Sequence, residues 1–296
     1  MGYRQVIIRQ SERLKTKDNG IVVVKDGNET IIPLEDINFI LLEDNTTVIT
    51  SKLLSEFGKY SICFIVCDDK HEPISIMYPY NYHFKQLEVI HKQLSLTDEN
   101  KDLLWQLIVK QKIQNQIATL ERTTKDERVI NILYQYISEV EPGDPTNREG
   151  LSAKLYFKSL FGSDFMRFYD DAINAALNYG YAIIKSAIIR TLVVFGLNTY
   201  MGINHQSKVN NFNLVYDLIE PYRAIVDKFV YDHMKELTYP LSFEFRTNLV
   251  NILNQTVICQ GKHYTIDYSI EMLVKSYIKA IDTGEIALTL PSQYYV

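Results

Sequence analysis

The chain has 296 residues, 46% of them hydrophobic, with 31 Lys and Arg against 36 Asp and Glu for a formal net charge of −5. That length suggests two domains with real cores. Three cysteines, an odd number, exclude a disulfide framework. The most apolar stretch, Tyr181 to Leu197, is broken by Lys185 and Arg190 and so reads as a buried helix rather than a membrane span. No N-terminal stretch has the order of a signal peptide, because Arg4 and Arg9 interrupt the first apolar run. A cytoplasmic location with no membrane contact is expected.

The first quarter reads as strands. Asn19-Gly20 separates Arg13–Lys17 from Ile21–Lys25, and Asp26-Gly27 separates that run from Glu29–Leu34, which predicts two consecutive hairpins. Further β-type runs cover Ile37–Leu42, Thr46–Ile49, Ser61–Val66 and Pro73–Tyr78, with a short helix over Ser51–Phe57. Cys63 and Cys67 sit in one of these runs without a second pair to complete a zinc site, so buried thiols are expected. A small β-sandwich or folded sheet would bury these faces. No acid, base or nucleophile falls into a recognisable arrangement there.

Beyond residue 81 the period changes. Trp105, Val109, Ile113, Ile117 and Leu120 share one helix face, with Thr97 as N-cap and Asp98 and Glu99 in the first turn. Another helix is expected over Glu127–Val140. Glu141 to Arg148 (EPGDPTNR) is irregular, and Glu149 then opens a helix to Phe161. The helix from Tyr169 to Phe195 is apolar around most of its circumference and carries one polar stripe, Asp171, Asn174, Asn178, Tyr181 and Lys185, facing water, another subunit or a polar cleft. Thr199 to Asn211 forms a polar loop holding His205, and Phe212 to Ile225 reads as helix, with Pro221 predicting a kink after Glu220. The fold class is therefore α+β, a β-rich domain over 1–80 followed by a larger all-α domain over 81–296.

Glu149, His205 and Glu220 are the types of residue that hold one hard divalent cation while leaving positions open for phosphate oxygens and water. Asp217 shares a helix face with Glu220 and is a possible further ligand. Each has a plainer reading. A Glu in a first turn suits the helix dipole, a lone His is commonly a cap or a satisfied polar residue, and two acids on one face are commonly solvated. Lys154 and Lys208 suit phosphate or plain surface, Tyr156 a site contact or the core, and Arg223 an ion pair with Asp217 or a phosphate. No phosphate-cradling glycine loop and no Ser-His-Asp or Cys-His arrangement is present.

Charge argues against an unaided grip on nucleic acid. Residues 1–80 carry 9 Lys and Arg against 12 Asp and Glu, residues 81–150 carry 9 against 11, and residues 151–296 carry 13 against 13. A more basic partner or a second copy of the chain is therefore expected to share the work.

Three motifs, Glu149 to Phe157 (EGLSAKLYF), Leu177 to Ala182 (LNYGYA) and Asp217 to Arg223 (DLIEPYR), together with His205, resemble the CRISPR-associated integrase family, Cas-one, the catalytic subunit of the spacer-acquisition complex. The resemblance covers most of the chain, and the acidic Glu220 with its Pro-Tyr-Arg is similar to branches from systems of the effector-nuclease (Cas-nine) type. It implies that Glu149, His205 and Glu220 hold Mg²⁺ or Mn²⁺ and that the β-domain is a dimerisation module. Lys154, Tyr156, Lys208 and Arg223 are the candidate DNA contacts beside that site. The reaction implied is transesterification, in which the 3′-hydroxyl of a short double-stranded DNA fragment attacks CRISPR leader-repeat DNA at a repeat end. Activity would fall as pH drops and His205 protonates. Two homodimers bridged by a dimer of a small subunit, Cas-two, are the implied assembly, with Tyr294-Tyr295 as a candidate docking tail. A non-catalytic DNA-binding scaffold and a general metal-dependent nuclease remain the alternatives.

Overall fold

The computed structural model describes residues 4–80 and 85–293, and Tyr294-Tyr295 lies outside the described residues. The chain divides into two compact units, residues 1–85 with 193–196, and residues 86–192 with 197–296.

The first unit contains β1 (Arg4–Ile8), β2 (Arg13–Lys17), β3 (Gly20–Lys25), β4 (Asn28–Pro33), β5 (Ile37–Leu42), β6 (Val48–Ile49), α1 (Ser51–Lys59), β7 (Cys63–Cys67) and β8 (Pro73–Met77). They form two four-stranded sheets, ordered β1-β5-β7-β8 and β4-β3-β2-β6. Both expected hairpins are present, β2 with β3 and β3 with β4. The first turn is centred one residue earlier than expected. Asp18 and Asn19 take the left-handed conformation, at φ 50° and 57°, while Gly20 already belongs to β3. Gly20 is needed there for another reason: a Cβ would come within 2.6 Å of the Ile31 side chain on β4. The second turn uses Asp26-Gly27, both at positive φ, as the sequence predicts.

The other sheet was only partly legible. β1 is absent from the sequence-based assignment, yet it pairs parallel with β5, which pairs parallel with β7. β5 is accordingly buried at all six positions, its INFILL run being apolar on both faces as parallel strands tend to be. The core joins both sheets to α1 through Ile8, Leu14, Ile21, Ile40, Leu53, Phe57 and Phe64, each such side chain stabilising by about 1.5–3 kcal/mol when removed from water. Cys63 and Cys67 are buried free thiols, as expected.

The second unit holds α2 (Gln86–Leu94), α3 (Asp98–Arg122), α4 (Glu127–Glu139), α5 (Arg148–Phe161), α6 (Ala172–Val194, its last residues in the first unit), α7 (Asn213–Asp232), α8 (Phe243–Val250) and α9 (Ile266–Thr283). It is helical apart from a small sheet of β9 (Thr256–Cys259), β10 (Lys262–Thr265) and β11 (Ser292–Gln293), in the order β10-β9-β11. α3 is the organising element and packs against α4, α5 and α7. Thr97 caps it by accepting from the Asn100 amide. Its apolar stripe, Trp105 to Leu120, is buried as predicted. A second stripe, Lys112, Asn115 and Thr119, is buried too. Spacings of three and four put these three polar residues on one face. That face meets α7: Asn115 Nδ2 donates to the Pro221 carbonyl (2.6 Å) and the Pro291 carbonyl (2.9 Å), and Thr119 Oγ1 donates to the Ala224 carbonyl (3.3 Å). α7 is a single helix through Pro221, without a break after Glu220.

Candidate active site

Glu149 is fixed by the way α5 begins. Asn147, at φ 53°, caps the helix by accepting from the Gly150 amide, and the buried Asp144 carboxylate accepts from the Arg148 and Glu149 amides at 2.9 and 2.8 Å. Four orphan amides open any helix, and here three of them are satisfied by side chains, so the irregular EPGDPTNR segment ends in a rigid start.

Glu220 lies on α7 with little exposure, at 5%. Arg223, one turn on, donates Nε to Glu220 Oε1 at 2.7 Å and lays its guanidinium 4.7 Å from the centre of the Tyr181 ring. The expected partner of Arg223, Asp217, is not the one it takes. Three residues carry a side chain toward its own turn more directly than six, and Asp217 is engaged elsewhere. Burial works to raise the Glu220 pKa, but Arg223 and Lys112 outweigh it and bring it down to about 2.

Lys112 is the residue sequence reasoning missed. The residue is 4% exposed, and its ammonium contacts both Glu149 Oε1 and Glu220 Oε2, the second at 2.5 Å. Burial lowers its pKa, while Glu220 and Glu149 raise it further than burial lowers it, so it is a cation. The only signal available was the second polar stripe on α3. It was hidden because the apolar stripe accounts for the helix by itself.

His205 belongs to a loop folded back on the first two turns of α7. Asp217, fully buried, accepts the amides of Ile203 (2.5 Å), Asn204 (3.2 Å) and His205 (3.1 Å), and His205 Nδ1 lies 2.7 Å from Asp217 Oδ1. Asn213 Nδ2 donates to the Tyr200 and Ser207 carbonyls and ties both ends of the loop. Asp217 therefore acts as the loop's anchor, its carboxylate gathering three amides and the His205 ring. The hydrogen bond to Asp217 raises the His205 pKa, and Glu220 and Glu149 add to it at longer range. With Nδ1–H donated to Asp217, Nε2 carries the lone pair.

Tyr156 is fully buried, which matches its reading as a core residue. Tyr181 donates to Asp227. Lys154 and Lys208 are exposed. The polar stripe on α6 divides: Tyr181 lies under Arg223 and Lys185 over the Tyr216 ring, which stands 6.2 Å from the His205 ring, while Arg167 donates to both the buried Asn174 and the exposed Asn178. An opening of about 470 Å³ flanks His205, lined by Gln93, Lys101, Tyr200, Gly202 and Tyr277 among others.

Among the described residues, no three His, Cys, Asp or Glu side chains stand as a ready-made metal cluster. The donor chemistry nonetheless fits a hard divalent ion. Two carboxylates meet at one cation, the Glu220 Oε2 contact lacks hydrogen-bond geometry, and the imidazole has its second nitrogen held by a carboxylate as metal-ligating histidines usually do.

A β-rich unit followed by a mostly helical one is also the fold of several solved proteins. A casposase bound to integration product superposes with a TM-score of 0.79 at 19% identity, covering 97% of this chain and 92% of that one. A chain of a Cas6-RT-Cas1–Cas2 complex gives 0.78 at 18%, covering 99% of this chain and 36% of that one. In sequence, the CRISPR-associated endonuclease Cas1 of Neisseria meningitidis serogroup C (strain 8013) is 34% identical over 295 residues, 98% of this chain and 96% of that protein. The profile of the family described as CRISPR associated protein Cas1 matches residues 5–257. The chain belongs to the Cas1 family.

Proposed function

We propose that this protein is a divalent-metal-dependent DNA integrase and endonuclease that inserts short DNA fragments with 3′-hydroxyl ends at CRISPR repeat ends. The observation that carries the reading is the meeting of Glu149 and Glu220 at one buried cation, beside a histidine oriented by Asp217. Glu149, His205 and Glu220 would hold Mg²⁺ or Mn²⁺. Such an ion lowers the pKa of a bound hydroxyl and offsets charge on a phosphoryl transition state.

The protein's own residues do the rest. Asp217 keeps the imidazole in the tautomer that leaves Nε2 unprotonated. Arg223 keeps Glu220 ionised and turned inward. In the transfer, the attacking 3′-oxygen loses its proton and forms a P–O bond as the bond to the departing oxygen breaks. The departing oxygen takes up a proton, so the number of phosphodiesters is conserved and no nucleotide is consumed. Water in place of the hydroxyl gives cleavage.

Partners follow from charge and kinship. The net charge of −5 calls for help in holding DNA, and one matched complex contains Cas2. We place this chain in an assembly of homodimers, paired through the β-rich unit, with a dimer of that small subunit.

The test is to incubate the protein, with and without the small subunit, with 3′-hydroxyl fragments and a supercoiled repeat-bearing plasmid in Mg²⁺ or Mn²⁺. His205→Ala and Glu220→Ala are run alongside. Joined strands lost in both variants support the integrase. Only shortened strands would leave a nuclease, and DNA binding without joining or cutting would leave a scaffold.

A further inference from the structure

Lys112 stands between the two carboxylates that the metal reading assigns to the ion. The residue sits inside α3, and its partners come from α5 and α7, the two helices packed on either side. Glu220 already has one cation, Arg223, on Oε1, so Lys112 completes a local balance of two positive and two negative side chains. A divalent ion entering with Lys112 still in place would leave four positive charges against two carboxylates in a buried site. Like charges in contact, shielded from water, disfavour that state.

We propose that Lys112 is a built-in competitor of the divalent cation, holding Glu149 and Glu220 when the ion is absent and withdrawing from them when it binds. The inference rests on the metal-dependent reading above. In this role the lysine does two things for the protein. It neutralises carboxylates that would otherwise repel across a buried gap, so the site folds without metal. It also weakens metal binding, because the ion must displace an ammonium already in contact with both ligands.

Manganese binding to the purified full chain, followed by the loss of the free Mn²⁺ electron paramagnetic resonance signal, tests this directly. Lys112→Met and Lys112→Gln should bind Mn²⁺ at least tenfold more tightly than the wild type. In the wild type, acylation of Lys112 by an amine-reactive reagent, read by mass spectrometry, should rise on adding Mg²⁺ while that of exposed Lys154 stays constant. Equal or weaker Mn²⁺ binding in folded variants would overturn the proposal and make Lys112 an aligning residue. If both variants fail to fold, a Lys112 that stays protected from acylation in Mg²⁺ overturns it by itself. Wild-type binding that Glu220→Ala abolishes but Lys112→Met leaves unchanged removes only the competitor role. The absence of saturable Mn²⁺ binding in every form removes the metal-dependent reading as well.

Discussion

His205 Nδ1 and Asp217 Oδ1 stand 2.7 Å apart, at a carboxylate that also gathers the amides of Ile203, Asn204 and His205. The contact links the fold of a loop to the tautomer of an imidazole. Asp217→Asn replaces an acceptor of four donors with a group that has donors of its own. Outer partners of metal-bound histidines are typically worth 10–100-fold in affinity. Asp217→Asn should therefore weaken Mn²⁺ binding by about that factor, and wild-type affinity would show that the histidine needs no such support.

Gly202 is where this loop passes closest to itself. A Cβ there would lie 2.1 Å from the His205 carbonyl oxygen and 2.9 Å from Asp217 Oδ2, with the first contact to backbone that cannot swing aside. Gly202→Ala should shift the loop and cost about 1–3 kcal/mol, in line with overpacking of a tight site. Limited proteolysis between residues 199 and 211, faster in the variant, is the expected outcome; an unchanged digestion pattern counts against the close approach.

Asp227 gives a pH dependence with an unusual sign. Burial pushes its pKa up to about 7, against the opposing pull of Tyr181 and Arg223. An unfolded Asp titrates near about 3.9, so between about pH 4 and 7 the native state holds a proton that the unfolded state has lost. Stability should thus fall as pH rises through that window, and level off above it. Urea midpoints for the wild type should drop between pH 5 and 7.5, and Asp227→Asn should flatten the trend. A slope that persists unchanged in the variant would assign it to other groups.

Lys154 and Lys208 are exposed cations, and as phosphate contacts each should contribute to salt dependence. Replacing either with Ala should reduce the slope of log affinity for DNA against log salt by about 0.9. The measurement is fluorescence anisotropy across a salt series, and an unaltered slope marks the residue as plain surface.

How much of this was legible in the sequence depended on whether the signal was local. α5 opens at Arg148, one residue before the expected Glu149, and the Asp26-Gly27 turn and the Thr97 cap are set by residues within one turn of each other and are where the chain pattern puts them. β1 is not, because its partner β5 lies some thirty residues on and parallel pairing leaves no turn to read. Lys112 escaped for a related reason. Its partners are 37 and 108 positions away, and a lysine in the middle of a long helix looks solvated until the opposite face is known to be buried. Arg223 was assigned to the wrong acid because two carboxylates on one helix face compete equally until the loop claims one of them.

The two hydrogen bonds donated by Asn115, to the carbonyls of Pro221 and Pro291, have a consequence in time as well as in space. The seam that seats Glu220 against α3 is closed by residues made some seventy positions after Glu220 itself. At typical synthesis rates of 5–20 residues per second, that is an interval of about 4–14 s. During it the nascent chain carries the acidic residues of the site without the last clasp that sets their helices in register. Until residue 291 is made, Asn115 can reach only one of the two carbonyls that hold this seam.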